Sequence, residues 1–185
     1  MERVNLILFG FKGCGKTHFG QRLATLLHRP FIDTDNLISE IYAKSHGERL
    51  SSKEIYQRVG GEAFRILEKE AILWLSNVQN AIIALGGGAV LDPDNVLFLQ
   101  ELGTLVYLEV SPHTLRQRLL GDALPAFFDA KDPDGSFRKM IQERKPIYES
   151  IPAHLIRVDE LDEAGVLASL RSILNSEPHE PIRKL

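Results

Sequence analysis

Residues 10–17 read GFKGCGKT, between an apolar run at residues 4–9 (VNLILF) and an amphipathic stretch at residues 16–27. The octet satisfies G-x-x-x-x-G-K-[ST] at every position, and no other feature constrains the fold as much. Such a turn works where a buried strand delivers it and a helix carries the chain away. The glycines let the backbone close around a polyphosphate, successive N–H groups point inward, and the helix N-terminus adds partial positive charge. Lys16 can then reach the β- and γ-phosphates, and the Thr17 hydroxyl can ligate Mg²⁺. A plain strand-to-helix turn needs neither residue. The motif points to a nucleoside triphosphate and leaves open what is done with it. Cys14 inside the loop is small and packs easily, although a helix N-terminus also lowers thiol pKa.

Four more apolar runs follow, at residues 30–33 (PFID), 81–85 (AIIAL), 104–108 (TLVYL) and 154–158 (HLIRV). They are continuous rather than alternating, which suits strands buried on both faces of a parallel sheet. Helical patterns lie between them. Residues 16–27 place Phe19, Leu23, Leu26 and Leu27 on one face, and residues 61–75 do the same with Phe64, Leu67, Ala71 and Leu75. Further helices are predicted over 112–120, 137–149 and 162–174. Ser51-Ser52-Lys53-Glu54 is a capping-box pattern. Asp92-Pro93 and Ser111-Pro112 each put a cap residue before a proline at the first helical position. The alternation predicts a single layered α/β domain over residues 1–174. Residues 121–135 hold two prolines, four aspartates and Phe127-Phe128; a loop of about fifteen residues is long enough to serve as a lid. Residues 175–185 are polar and aperiodic and are expected to form a tail.

Composition narrows the function classes. The 185 residues carry 22 Lys and Arg against 25 Asp and Glu, a net charge of −3. Phosphate neutralisation along a nucleic acid needs a basic excess, so such a partner is not expected. A lone cysteine allows no intrachain disulfide. No apolar run approaches the roughly 18–20 residues needed to span a bilayer, and no targeting segment is expected before Val4. A cytoplasmic protein without membrane contact is the expectation.

Three further groups carry chemistry. Asp33-Thr34-Asp35 ends the second apolar run, at the sheet edge that faces the ligand crevice in open α/β folds. One carboxylate there can hold Mg²⁺ and the other can take a proton from an attacking hydroxyl; alternatively, Asp35 caps a helix starting at Asn36. Arg65 and Glu68 lie one helical turn apart. They form either a surface ion pair or an arginine fork oriented toward a carboxylate ligand. Gly86-Gly87-Gly88 follows the third run, where a positive φ, a close ligand approach or a tight strand exit would each account for them.

Together these residues resemble shikimate kinases: the 10–17 loop, Asp33-Thr-Asp35, Phe64-Arg65-x-x-Glu68, Gly86-Gly-Gly88 and Glu143-Arg144-Lys-Pro146-x-Tyr148, in the family's order over residues 4–174. The resemblance implies a three-layer phosphate-loop domain similar to nucleoside monophosphate kinases, with a five-stranded parallel sheet flanked by helices. It implies transfer of the ATP γ-phosphoryl group to the 3-hydroxyl of shikimate, with Mg²⁺, in the pathway to chorismate and aromatic amino acids, by a monomer. It assigns Gly13, Cys14, Gly15, Lys16, Thr17, His18 and Arg118 to ATP, and Thr17 and Asp33 to the metal. Lys16 and Asp35 become catalytic, and Asp35, Arg65, Gly86, Gly87, Gly88 and Arg144 bind shikimate. The family's lid carries Arg-Pro-Leu-Leu, where this chain has Leu124-Pro125-Ala126-Phe127. A substitute cation is expected among Arg116, Arg118, Lys131, Arg138 and Lys139, with Arg118 first. The competing readings are another small-molecule kinase on this scaffold, such as a gluconate kinase, and a nucleotide-dependent switch without turnover.

Overall fold

The computed structural model describes residues 4–121 and 124–176. Its sheet has five parallel strands: β1 (Asn5–Phe9), β2 (Phe31–Asp33), β3 (Ile82–Ala84), β4 (Gly103–Glu109) and β5 (His154–Arg157), in the order β2-β3-β1-β4-β5. All five apolar runs became strands. Every residue of β1 and β3 is buried, so helices cover the sheet on both faces, as a parallel sheet requires. Asn5 fixes where β1 begins. Its side chain donates to the carbonyls of Val78 and Leu102 at 2.7 and 2.9 Å and accepts from the Ala81 amide at 2.9 Å, tying β1 to the chain entering β3 and β4.

Seven helices surround the sheet among the described residues: α1 (Lys16–Leu27), α2 (Thr34–His46), α3 (Ser52–Trp74), α4 (Pro93–Leu102), α5 (Pro112–Gly121), α6 (Pro133–Ser150) and α7 (Glu163–Asn175). The expected caps form at α3, α4 and α5, the last with Ser111 Oγ accepting from the Thr114 amide at 3.2 Å. Ser51 and Glu54 close a reciprocal capping box, and Asp92 caps α4 ahead of Pro93.

Four boundaries differ from expectation. The cap of α2 is Asp33, whose Oδ1 accepts from the Asp35 amide at 2.9 Å, so Asp35 lies inside the first turn. The patterns opened by Ser51 and by Gly61 belong to one element, α3, bent where Gly60 takes φ 81° and ψ 171°. That left-handed φ is open to glycine and strained for other residues. Helix α6 begins at Pro133, capped by Asp132, which removes the last three residues from the expected 121–135 loop. Helix α7 reaches Asn175, one residue into the expected tail, and residues 177–185 lie outside the described residues.

The strand order sets the position of the site. From β1 the chain crosses to β2 at one edge, returns to β3, then passes over β1 to β4. Connections thus leave in opposite directions around β1, and the crevice at its carboxyl end is where ligands bind in such sheets.

Candidate functional site

A cavity of about 450 Å³ opens at that crevice, lined by the phosphate loop, the end of β2, one side of α3, residues 87–88, Arg144 and the segment at Ala126–Phe127. Lys16 is only 8% exposed. Its ammonium donates to the carbonyls of Gly10 and Phe11, both at 2.9 Å, and lies 3.6 Å from the Cys14 sulfur. Lys16 thus shapes the loop as well as facing the cavity. Cys14 is fully buried and does not line the cavity; its thiol faces the interior beneath the loop. His18 sits in the first turn of α1, where backbone N–H groups lack helical partners; its ring pairs with Glu163 of α7 at 3.3 Å. Arg118 lies outside the cavity lining and donates to the Gly13 carbonyl at 2.8 Å, bracing the loop from behind.

The Thr17 hydroxyl donates to Asp33 Oδ2 at 2.8 Å. This carboxylate therefore has two tasks, capping α2 with one oxygen and meeting Thr17 with the other. The Thr17–Asp33 oxygens are the pair that suits a Mg²⁺ ion taking its remaining ligands from phosphate and water.

Asp35 lies in the same cavity with its carboxyl pKa raised. Burial is the main cause and Asp33 adds repulsion, while Lys16, Lys12 and Arg65 pull it back down. A carboxylate so placed is poised to accept a proton, as general bases are.

The acceptor side is built on α3 and α6. Arg65 donates to Glu68, one turn on, and Glu68 is 2% exposed. Burial pushes the Glu68 carboxyl up and Arg65 draws it down. This is an oriented fork, since a surface pair would leave Glu68 in water. Arg144 stacks its guanidinium 4.5 Å from the Phe127 ring centre. One turn later, the buried Tyr148 donates to the Gly87 carbonyl and sets its ring against Phe11 (4.7 Å), Tyr107 (5.8 Å) and Phe9 (6.2 Å). Its phenol is pushed up to about 12 by burial. Tyr148 thereby locks α6, and Arg144 with it, to the glycine run and the phosphate loop.

The three glycines are explained by close approach rather than by a positive φ. A Cβ on Gly86 would stand 2.8 Å from Asp35 Oδ1, and one on Gly88 would stand 2.1 Å from Arg65 Nη1. The backbone gives way so that these two side chains can lie on it. The Gly86 amide donates to Thr34 Oγ1 at 2.8 Å, fixing that backbone against α2.

The structure thus brings Gly13, Gly15, Lys16, Thr17, His18, Asp33, Asp35, Arg65, Gly87, Gly88 and Arg144 around one space, while Cys14, Gly86 and Arg118 lie outside its lining. The sequence reading missed Lys12, Ser52, Lys53 and Tyr56, which also line it. The capping box at Ser51 was the available signal for the last three, because it starts a helix whose first turns border the cavity. Tyr56 packs edge-on to Phe64 at 5.4 Å and toward Phe127 at 6.5 Å, forming an aromatic wall. Leu124 packs against the hydrophobic core. Of the cations expected to replace it, Arg116 is paired with Asp134 at 2.7 Å and Lys139 with Glu143 at 3.9 Å.

A family model described as shikimate kinase matches residues 12–175. The shikimate kinase of Caldanaerobacter subterraneus subsp. tengcongensis is 36% identical over 144 residues, covering 78% of this chain and 81% of that protein. That of Hahella chejuensis is 34% identical over 182 residues, covering 98% and 92%. Among solved structures, shikimate kinase from Acinetobacter baumannii in complex with shikimate superposes with a TM-score of 0.81 at 26% identity, covering 94% of this chain and 93% of the other. The Aquifex aeolicus enzyme gives a TM-score of 0.74 at 26% identity, with 92% and 96% covered.

Proposed function

The chain belongs to the shikimate kinase family and is an ATP-dependent kinase of shikimate in aromatic amino acid biosynthesis, and from that premise we propose which residues carry the reaction. The observation that supports the assignment is one cavity in which Asp35 feels both Lys16 and Arg65. The phosphate loop takes the ATP phosphates through its backbone and Lys16. Arg65 and Arg144 hold the shikimate carboxylate, because a planar guanidinium matches a carboxylate with two parallel hydrogen bonds. Asp35 accepts the proton of the 3-hydroxyl as its oxygen attacks the γ-phosphorus. Gly86, Gly87 and Gly88 give the substrate a wall of backbone.

Thr17 and Asp33 would hold Mg²⁺, which supplies charge neutralisation at the β- and γ-phosphates. Residues 124–132, with Ala126 and Phe127 on the cavity, act as a lid that excludes water. Among the described residues no helix is long and apolar enough to cross a membrane, and this reading takes the enzyme as a cytoplasmic monomer that meets neither membrane nor nucleic acid.

The test is ADP release with and without shikimate, with gluconate as the competing acceptor. Shikimate-dependent release is expected, and release with gluconate alone would overturn the reading. Arg65→Lys loses the fork, so the KM for shikimate should rise by about 10–100-fold, the loss of one charged hydrogen bond or two, while that for ATP holds. Gly88→Ala should produce the same pattern by another route. Its backbone (φ −105°, ψ −10°) accepts alanine, so the methyl displaces the end of Arg65 and leaves the fold intact. A rise confined to the ATP KM in either variant would remove Arg65 from the acceptor site.

A further inference from the structure

Five cationic side chains line the cavity: Lys12, Lys16, Lys53, Arg65 and Arg144. Three are engaged. Lys16 has its two loop carbonyls and the Cys14 sulfur, Arg65 has Glu68, and Arg144 lies over Phe127. Lys12 and Lys53 make no side-chain hydrogen bond and no ion pair among the described residues. They differ in where they stand: Lys12 belongs to the phosphate loop itself, whereas Lys53 sits on the first turn of α3.

Lys12 also springs from a fixed point. Its amide and Cα lie 3.3 and 3.9 Å from where a Cβ on Gly87 would stand, so the phosphate loop and the glycine run abut at this residue. The preceding Phe11 is 3% exposed and packs on Tyr148. A free ammonium on a flexible stem therefore rises from the seam between the nucleotide half and the acceptor half of the cavity.

We propose that Lys12 is a further catalytic residue, a second lysine that contacts the phosphoryl oxygens as the group crosses from ATP to the shikimate hydroxyl. The proposal rests on the reaction assigned above. In that step the hydroxyl oxygen forms the new bond to phosphorus. The bond from the γ-phosphorus to the bridging oxygen breaks, and its electron pair leaves with ADP. The hydroxyl proton passes to Asp35 and then to solvent. Charge spreads over the transferring oxygens during this exchange. Lys16 is already shared with the loop, Arg118 is committed to Gly13, and Leu124 brings no charge from the lid side. Lys12 supplies the cation from within the phosphate loop.

Steady-state kinetics and thermal melts of Lys12→Met and Lys12→Arg, alongside the wild type, test this. Lys12→Met should lower kcat by about 10²-fold, the usual cost of one transition-state donor, and Lys12→Arg should restore most of it. Both variants should keep the wild-type Tm, because Lys12 is exposed and unpartnered. A structural role would lower Tm and would not be rescued by Lys12→Arg, whereas here kcat should fall in Lys12→Met with Tm and the KM for shikimate unchanged. A kcat within about twofold of wild type in Lys12→Met overturns the proposal alone. Absence of shikimate-dependent ADP release from the wild type overturns the underlying assignment and the proposal with it.

Discussion

Asp35→Asn is expected to lose turnover and gain thermal stability. Asparagine keeps the shape of the side chain and cannot take the hydroxyl proton, so kcat should fall by about 10²–10⁴-fold, the range for a lost general base. The stability gain follows from the raised pKa of the native carboxyl. A group whose folded pKa lies above its unfolded value binds its proton more tightly when folded. Its contribution to stability is fully present below the ordinary aspartate range and is lost as pH rises through the raised value. Above that value the wild type carries a buried charge repelled by Asp33, and the asparagine variant does not. Its Tm should exceed that of the wild type at neutral pH, each kcal/mol appearing as about 2–4 °C in a domain of this size. The difference should shrink toward acid pH, where both proteins are neutral at this position. Thermal melts across pH check it, and a lower Tm for the variant at neutral pH would contradict the assignment of a strained base.

Lys16→Ala should cost both activity and stability. The activity loss is the larger, about 10²–10³-fold or more in kcat, because the ammonium opposes charge developing on the phosphates. The stability loss comes from the same nitrogen's other partners. Without it the Gly10 and Phe11 carbonyls lose their shared donor, and an unpartnered buried polar group costs about 1–3 kcal/mol. The variant should still fold, with a lower Tm than the wild type by calorimetry. Turnover near the wild-type rate would remove Lys16 from the phosphates.

The sheet was legible because β1, β3 and β4 are buried runs too short to be anything else, and because the phosphate loop demands a strand before it and a helix after it. Whether Asp35 caps α2 stayed open in the sequence because Asp33 and Asp35 are both good capping residues two positions apart. Only the chain path shows that Asp33 holds the extended conformation a cap needs, φ −108° and ψ 120°. The start of α6 was hidden by Asp132, Pro133 and Gly135, which read as turn residues and here form a capped first turn. Arg65, Glu68 and the glycine run were each visible, yet their joint meaning was not. That Gly88 exists to let Arg65 lie flat is a relation between residues of α3 and a loop beyond β3, and no local pattern carries it. Lys12 escaped notice because the motif leaves its position free.

The strand order also bears on how the protein comes into being on the ribosome. β1 and the whole phosphate loop emerge first, yet β1 lies between β3 and β4, with Leu6 paired to Ile82 and Asn5 to Gly103. β3 is complete only at Ala84 and β4 only at Glu109, so both neighbours are present only after more than half the polypeptide has been made. Until then the loop lacks the full sheet that holds its curvature, and closing contacts of such sequence separation is entropically slow. A nascent chain stopped before β4 carries every letter of the nucleotide motif and only one side of the sheet that supports it.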